Sequence, residues 1–486
     1  MRYLPSLILP IALATAALGK TIPNHASANL VLGQSGFTTN SVSPVASPYT
    51  LDAPCCVTVD PATGKVFVLE YNSCRVLRYP SASSLRNGAP AEAVFGQPRF
   101  SSTASGSGDT GWGSLAYSIF FDHRGRLWVS VYSQHRVLMY EAASTRTSSV
   151  LADRVYGQPN FTTYSTGTTA STMINPIGVC VDKQDHLWVS DYGNNRILRF
   201  DNITDKPSGS AADGVLGQAN FNTGSSGTSA TKLSSPGHIA VSPSGSLFVA
   251  DLFNHRIVRF ENAAQLVNGA GASAVFGQAD FTSNTPGTSA TKYNMPWGVC
   301  CADDDSIWIT ELSKPRVLRI SKATTKPTNA AADGVIGQAD FITTAPGLDA
   351  RNIAANPYSQ PCVDASSNLW LPDQMNNRVL RFPPDLTKPG LVVKAVAKKV
   401  TKKKLKVSGT ASDQYGVAKV QYKLGNGAAK TASGTTTWSF NVTLAEGKNK
   451  LTVWSIDSVG NQSPAKTIKV KYKPKKKSSQ KQLATS

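Results

Sequence analysis

The pentapeptide frame Gly-Gln-x-x-Phe returns at Gly33-Phe37, Gly96-Phe100, Gly157-Phe161, Gly217-Phe221, Gly277-Phe281 and Gly337-Phe341, so the chain repeats itself every 60 to 63 residues. A fixed period of this size signals a repeat architecture, because each unit is a small element that buries its apolar face only against its neighbours. Between markers a second pattern recurs, clearest in Pro176-Ile-Gly-Val-Cys-Val-Asp182, Leu187-Trp-Val-Ser-Asp191, Asn194-Asn-Arg196 and Ile197-Leu-Arg-Phe200. The apolar runs are short, alternating or β-branched, and are broken by Gly, Asn and Asp, which reads as three antiparallel strands. The Val-Phe-Gly-Gln and Val-Leu-Gly-Gln segments add a fourth strand, and four strands per repeat around a ring make a β-propeller blade. Six repeats predict six blades in an all-β protein.

Strand order predicts how the ring closes. The first Gly-Gln strand, Leu30-Gln34, precedes the first three-strand group, and the last group, ending at Phe382, has no such strand after it. Each end therefore lacks what the other supplies. The N-terminal strand is expected to complete the sixth blade and leave no open edge.

The motifs Pro-x-Gly-Val-x-Val-Asp, Leu-Trp-Val-Ser-Asp and Asn-x-Arg-Ile-Leu-Arg-Phe resemble the NHL-repeat β-propellers over residues 30–383. The resemblance implies a fold more than a function, since that family includes protein-binding and RNA-binding scaffolds, sensor domains, and metal-dependent lyases or lactonases. The chain differs from the usual NHL unit in its longer period, with an extra stretch after each Gly-Gln marker.

Charge sets the C-terminal segment apart. Residues 388–486 hold 21 lysines against Asp413, Glu446 and Asp457, which is +18 of the whole-chain +19. The propeller is close to neutral, which argues against nucleic-acid binding by its faces. Within the basic segment, Lys406-Asp413, Val417-Tyr422, Trp438-Val442, Asn449-Trp454 and Ile468-Tyr472 alternate as half-buried strands. With Asp457-Ser-Val-Gly-Asn461 they resemble the immunoglobulin-like sandwiches of bacterial extracellular proteins, modules that act as spacers or adhesive units. The domain plan is a signal peptide at 1–28, a propeller at 29–385, an Ig-like β-sandwich with its Lys-rich linker at 386–472, and a basic, unfolded tail at 473–486. Lysine clusters flanking the sandwich suit solvated surface or diffuse attachment to an anionic envelope polymer better than specific nucleic-acid recognition.

At the N-terminus Arg2 precedes the apolar stretch Leu4-Leu18, which reads as a secretory signal cleaved after Gly19 or after Ala28. Nothing later is apolar over the 18 residues that a transmembrane span needs. The expectation is a monomeric, secreted or extracytoplasmic protein of the periplasm or cell surface. Seven cysteines in an exported chain permit disulfides. Cys74 faces the start of the first inner strand, so Cys56-Cys74 and Cys55-Cys74 are both candidate bonds, whereas Cys180, Cys300 and Cys362 read as small core residues.

Residues that recur in every blade read as structure. Glu70/Arg75, Asp191/Arg196, Asp251/Arg256, Glu311/Arg316 and Asp373/Arg378, with Val131/Arg136 as the exception, suit turn fixing, and Phe67, Trp128, Trp188, Phe248, Trp308 and Trp370 suit packing between sheets. Function is sought where repeats disagree, at the start of the inner strand: Cys55, Tyr117, Ile177, Gly237, Trp297 and Ser359, with His238 where other blades carry Gly178 or Gly298. These positions lie near one mouth of the central channel, on the face of the long Ser/Thr/Gly/Asn-rich loops. Tyr117, Ile177, His238, Trp297 and Ser359 are the candidate ligand-binding residues.

Catalytic constellations are sparse: there is no Gly-x-Ser-x-Gly elbow and no Walker loop. Zinc chemistry needs converging ligands, and of the six histidines only His238 stands at the candidate mouth. Bound calcium is considered at Asp60, Asp122, Asp182, Asp303 and Asp364, whose recurrence also fits turn chemistry. The sequence therefore points to an envelope binding scaffold, without a resident cofactor, that recognises a protein or polysaccharide through the long-loop face. The competing reading is a metal-dependent lyase or lactonase-like hydrolase at the channel.

Overall fold

The computed structural model describes residues 21–475 apart from 44, 104–111, 113–114, 148–150, 313 and 355–357, so the apolar leader up to residue 20 and the tail from residue 476 lie outside the described residues. Two compact units emerge, one spanning Asn24–Pro384 and the other formed by residues 385–475 together with residues 21–23.

The larger unit is a ring of six four-stranded antiparallel sheets. In the third, Pro176–Val181, Leu187–Asp191, Arg196–Phe200 and Gly214–Leu216 follow one another from the channel outward, in the register Val179↔Val189, Trp188↔Arg199 and Leu198↔Val215. Alternation along these strands sends apolar side chains into the spaces between blades, where the recurring aromatic row Phe67, Trp128, Trp188, Phe248, Trp308 and Trp370 is 0–3% exposed. Closure follows the predicted order: Leu30–Leu32 pairs with Arg378–Phe382 through Leu30↔Arg381, Val31↔Leu380 and Leu32↔Val379, completing the sheet of Leu369–Asp373 and Cys362–Val363.

The ring begins earlier than residue 29. Asn24 Oδ1 accepts from Val335 N at 3.2 Å, His25 N donates to Val335 O at 2.8 Å, and Ala26 and Ala28 are 0% and 6% exposed. Asn268 Oδ1 makes the equivalent contact to Val215 N at 2.9 Å, so Asn24–Ala28 forms an inter-blade connection of the repeat, although Ala26-Ser-Ala28 reads in sequence as a cleavage box.

The Gly-Gln-x-x-Phe marker owes its residues to one turn. Gly277 has φ +86°, and a Cβ there would stand 2.2 Å from the Tyr293 ring, so only glycine fits. Gln278 Nε2 then donates to His255 O at 3.1 Å and Thr285 O at 2.9 Å, and the Phe281 carbonyl accepts from Arg256 Nη1 at 2.6 Å.

The smaller unit is a β-sandwich. Gly390–Val393, Lys404–Ser412 and Thr437–Thr443 make one sheet; Lys399–Val400, Lys466–Tyr472, Gly447–Asp457, Val417–Leu424 and Lys430–Thr431 make the other. Its core holds Val407, Val420, Trp438, Phe440, Leu451 and Val453, with Tyr422 stacked on Phe440 at 3.7 Å between centroids.

Candidate functional site

The acid-arginine ring holds the long loops in place. In the third blade Arg196 Nε meets Asp191 Oδ2 at 2.7 Å, Nη2 donates to Thr169 O and Thr172 O at 2.8 and 3.0 Å, and Nη1 donates to Phe221 O. One guanidinium thereby clamps the long loop of its own blade to the marker of the next. The five pairs are buried to 1% exposure or less, as expected for structural clamps.

A register shift at the start of inner strands, as between Pro176 and Val179, between Pro236 and Ile239 and between Pro296 and Val299, re-aims the residue after the first proline toward the channel mouth. It brings four of the five candidates to one place. Tyr117, Ile177 and Trp297 form a buried cluster, and His238 meets the Trp297 ring at 5.7 Å, edge to face. Ser359 is fully buried, and its hydroxyl donates to Pro372 O at 2.7 Å, so it is committed within its own blade. Among the described residues the floor of the mouth is therefore a packed plug: Ile177 and His238 are 1% exposed, Trp297 3% and Tyr117 7%.

The rim was not singled out from the sequence. Tyr71, Tyr132, Tyr192 and Tyr358 are partly exposed and pack on the plug. Tyr117 lies 5.0 Å from Tyr132, 5.4 Å from Tyr71 and 5.3 Å from Tyr358, and Trp297 lies 5.2 Å from Tyr358. Tyr71, Tyr132 and Tyr192 directly follow the residue that ends the second strand, a place that holds Leu252 and Leu312 in two other blades. That recurrence of large side chains at a fixed step was the available signal. Burial, with the Tyr71 hydroxyl 3.4 Å away, pushes the Tyr117 hydroxyl well above the usual tyrosine range, so it acts only as a neutral donor and acceptor.

Two ring nitrogens inside the plug, His238 Nε2 and Trp297 Nε1, have no hydrogen-bond partner. In other blades a hydroxyl on the second strand binds the inner strand at this level: Ser190 Oγ accepts from Gly178 N at 2.7 Å and donates to Gly237 O at 2.6 Å. The fourth blade has Ala250 where the second, third and fifth carry Ser130, Ser190 and Thr310, and His238 where the third and fifth carry Gly178 and Gly298. Burial pushes the His238 imidazole down to about 3. Because the folded value lies below the unfolded value of about 6.5, stability is fully present above pH 6.5 and is lost as pH falls toward 3, by about 3 kcal/mol at pH 4. His238→Gln, which copies Gln360 of the sixth blade, is expected to remove that slope. Melting curves of both proteins between pH 4 and 7 check it; parallel pH profiles would contradict the assignment.

The opposite mouth is open. A cavity of about 300 Å³ runs between inner strands lined by Val57, Val179, Ile239, Val299 and Cys362. Aspartates at this end are engaged in turns: Asp182 Oδ1 accepts from Gln184 N and His186 N, both at 3.0 Å, and Oδ2 from Trp188 Nε1 at 3.0 Å. Asp122 and Asp364 receive Trp128 Nε1 and Trp370 Nε1 in the same way, each at 2.8 Å. Among the described residues of the propeller, no three His, Cys, Asp or Glu side chains converge as a ligand set. All seven cysteines are thiols. The expected Cys56-Cys74 bond is not formed: Cys56 Sγ turns to the next blade, donating to Ile119 O at 3.4 Å and accepting from Ile119 N at 3.3 Å. Cys55 is likewise unbonded, buried and directed at Ala116 O.

Ring, closure and sandwich define a six-bladed β-propeller with an appended immunoglobulin-like module. Two family models match: an NHL repeat at residues 174–200 and a bacterial Ig domain at residues 395–453. The chain is a six-bladed propeller in which one segment matches the NHL repeat, followed by a β-sandwich in which one segment matches a bacterial Ig domain. No curated protein matches it. Among solved structures, selenomethionine-substituted virginiamycin B lyase from Staphylococcus aureus aligns at 14% identity over 69% of this chain and 97% of that one, with a TM-score of 0.39. PorZ, a surface component of the type-IX secretion system of Porphyromonas gingivalis, aligns at 11% identity over 86% and 51%, with a TM-score of 0.42. A Bacteroides thetaiotaomicron protein of unknown function aligns at 13% identity over 74% and 75%, with a TM-score of 0.44.

Proposed function

We propose that this protein is an exported binding scaffold that grips a glycan or protein partner with the long-loop face of its propeller. The observation that carries this reading is the tyrosine-rimmed mouth. Tyr71, Tyr117, Tyr132, Tyr192, Trp297 and Tyr358 come from five different blades and meet in one aromatic cluster. Rigid aromatic rings present large contact area at small entropic cost, and their hydroxyls serve polar groups of the partner. Further apolar side chains stand exposed on the turns and long loops at the same end of the blades, among them Tyr49 at 58%, Phe253 at 47% and Met375 at 60%. Export, with cleavage after Gly19, keeps the inter-blade contacts of Asn24–Ala28. No helix among the described residues is long and apolar enough to cross a membrane. In the Ig-like module, Lys394, Lys398, Lys448, Lys450, Lys469 and Lys471 line a broad groove with an apolar floor, a surface suited to an anionic envelope polymer.

Replacing Tyr71, Tyr132 and Tyr192 together with alanine is expected to weaken binding to the isolated envelope fraction by at least tenfold, about 1.4 kcal/mol, with cooperative melting retained at a temperature lowered by the lost packing on the plug. Unchanged binding by that variant would move the site off this face.

A further inference from the structure

Three aspartates far apart in the sequence meet at one end of the Ig-like module. Asp385 opens the module, Asp413 follows the strand Lys404–Ser412, and Asp457 ends the strand Gly447–Asp457. One carboxylate oxygen of each lies within 4.8 Å of the other two. The cluster is enclosed, with Asp385 6% and Asp457 1% exposed.

Each carboxylate is divided between two tasks. Asp385 Oδ1 accepts from Thr387 N at 2.9 Å, Asp413 Oδ1 from Tyr415 N at 2.8 Å, and Asp457 Oδ1 from Val459 N and Asn461 N at 3.0 and 2.8 Å. These bonds fix three tight turns. The second oxygen of each residue, Asp385 Oδ2, Asp413 Oδ2 and Asp457 Oδ2, is buried without any hydrogen-bond partner. Buried carboxylate oxygens are otherwise matched by donors or cations, and three clustered carboxylates, each with one orphan oxygen, call for one partner that serves all of them. A single shared proton bridges only two oxygens.

We propose that Asp385, Asp413 and Asp457 form a calcium site of the Ig-like module. The ligand set is three hard oxygens, and no histidine or cysteine stands in the cluster, which disfavours zinc. Ca²⁺ binds oxygens at about 2.3–2.6 Å, so two ligands of one ion stand up to about 5 Å apart, the spread seen here. Backbone carbonyls and water complete such a shell in a flexible geometry, whereas Mg²⁺ demands a tighter octahedron. The site would fasten the chain's entry into the module to the turns at 413–416 and 457–461. Asn461 already braces this arrangement, its Nδ2 donating to Asp385 O at 2.9 Å. Burial, together with the neighbouring Asp385 and Asp457 carboxylates, lifts Asp413 above the ordinary aspartate range when no cation is present.

The full chain is titrated with CaCl₂ at constant ionic strength, with EDTA and MgCl₂ as references, and read by calorimetry and hydrogen exchange. The expected dissociation constant is on the order of 10⁻⁴ to 10⁻³ M, as in extracellular modules. Calcium should slow exchange in 385–387, 413–416 and 457–461 and leave the blades unchanged. Asp413→Asn retains the turn-fixing oxygen and should weaken calcium binding at least tenfold, while melting in EDTA at or above the wild-type temperature because one buried charge is gone. Exchange that is the same in calcium and EDTA, an equal response to magnesium, or a wild-type calcium response from Asp413→Asn would each overturn the site.

Discussion

A chain lacking residues 24–34 is expected to lose its cooperatively melting propeller. Leu30, Val31 and Leu32 are 2%, 0% and 0% exposed, and each fully buried aliphatic side chain contributes about 1.5–3 kcal/mol. Their sum, about 5–8 kcal/mol, is comparable with the 5–15 kcal/mol net stability of a typical domain. The deletion also removes Asn29 Oδ1, which accepts from Arg381 Nε at 2.9 Å, and Gln34 Nε2, which donates to Asn377 O at 3.1 Å. The strand Arg378–Phe382 then becomes an open edge, and an unpaired edge invites another chain. Calorimetry should show the transition lost or lowered by more than about 10 °C, with light scattering showing concentration-dependent oligomers. A truncated chain that keeps the association state of the intact chain and melts normally would mean that the ring does not depend on this strand.

The blades were legible because two periods coincide in the sequence, alternation within strands and the sixty-residue repeat. Closure was legible from order alone, since a surplus strand at one end answers a deficit at the other. The mouth was half legible. Disagreement among repeats pointed to Tyr117, Ile177, Trp297 and His238, but their burial depends on Tyr71, Tyr132, Tyr192 and Tyr358, which come from other strands and loops. Ser359 resisted because the inner strand of the sixth blade is reduced to Cys362–Val363, and Gln360 instead ties that segment to the fifth blade through Val299. Ala26-Ser-Ala28 has two readings in sequence for a physical reason: small residues suit a cleavage box and close packing equally, and here they pack between blades. The aspartate cluster was hidden because Asp385, Asp413 and Asp457 each look like an ordinary turn residue, and only the fold brings their carboxylates together.

Asp251→Val is expected to destabilise the fourth blade by about 3–5 kcal/mol, the cost of stranding a buried cation. Asp251 Oδ2 receives Arg256 Nε at 2.7 Å and Asn254 Nδ2 at 2.8 Å, and Oδ1 receives Ser234 N at 2.7 Å, so one substitution strips three donors. The protein contains its own control. In the second blade valine naturally occupies this place as Val131, yet Arg136 remains fully buried. There the guanidinium lies 5.1 Å from the centre of the Tyr164 ring and donates to Phe161 O. The place of Tyr164, three residues after the marker phenylalanine, is held by Asn284 in the loop that Arg256 clamps. Asn284→Tyr should therefore recover about 1–2 kcal/mol in the Asp251→Val background by offering a ring face to the stranded guanidinium. In the wild-type background it should do little, because Arg256 is already satisfied. A double-mutant cycle by denaturant unfolding measures the coupling. Zero coupling would mean that the second blade tolerates its valine for a reason other than Tyr164.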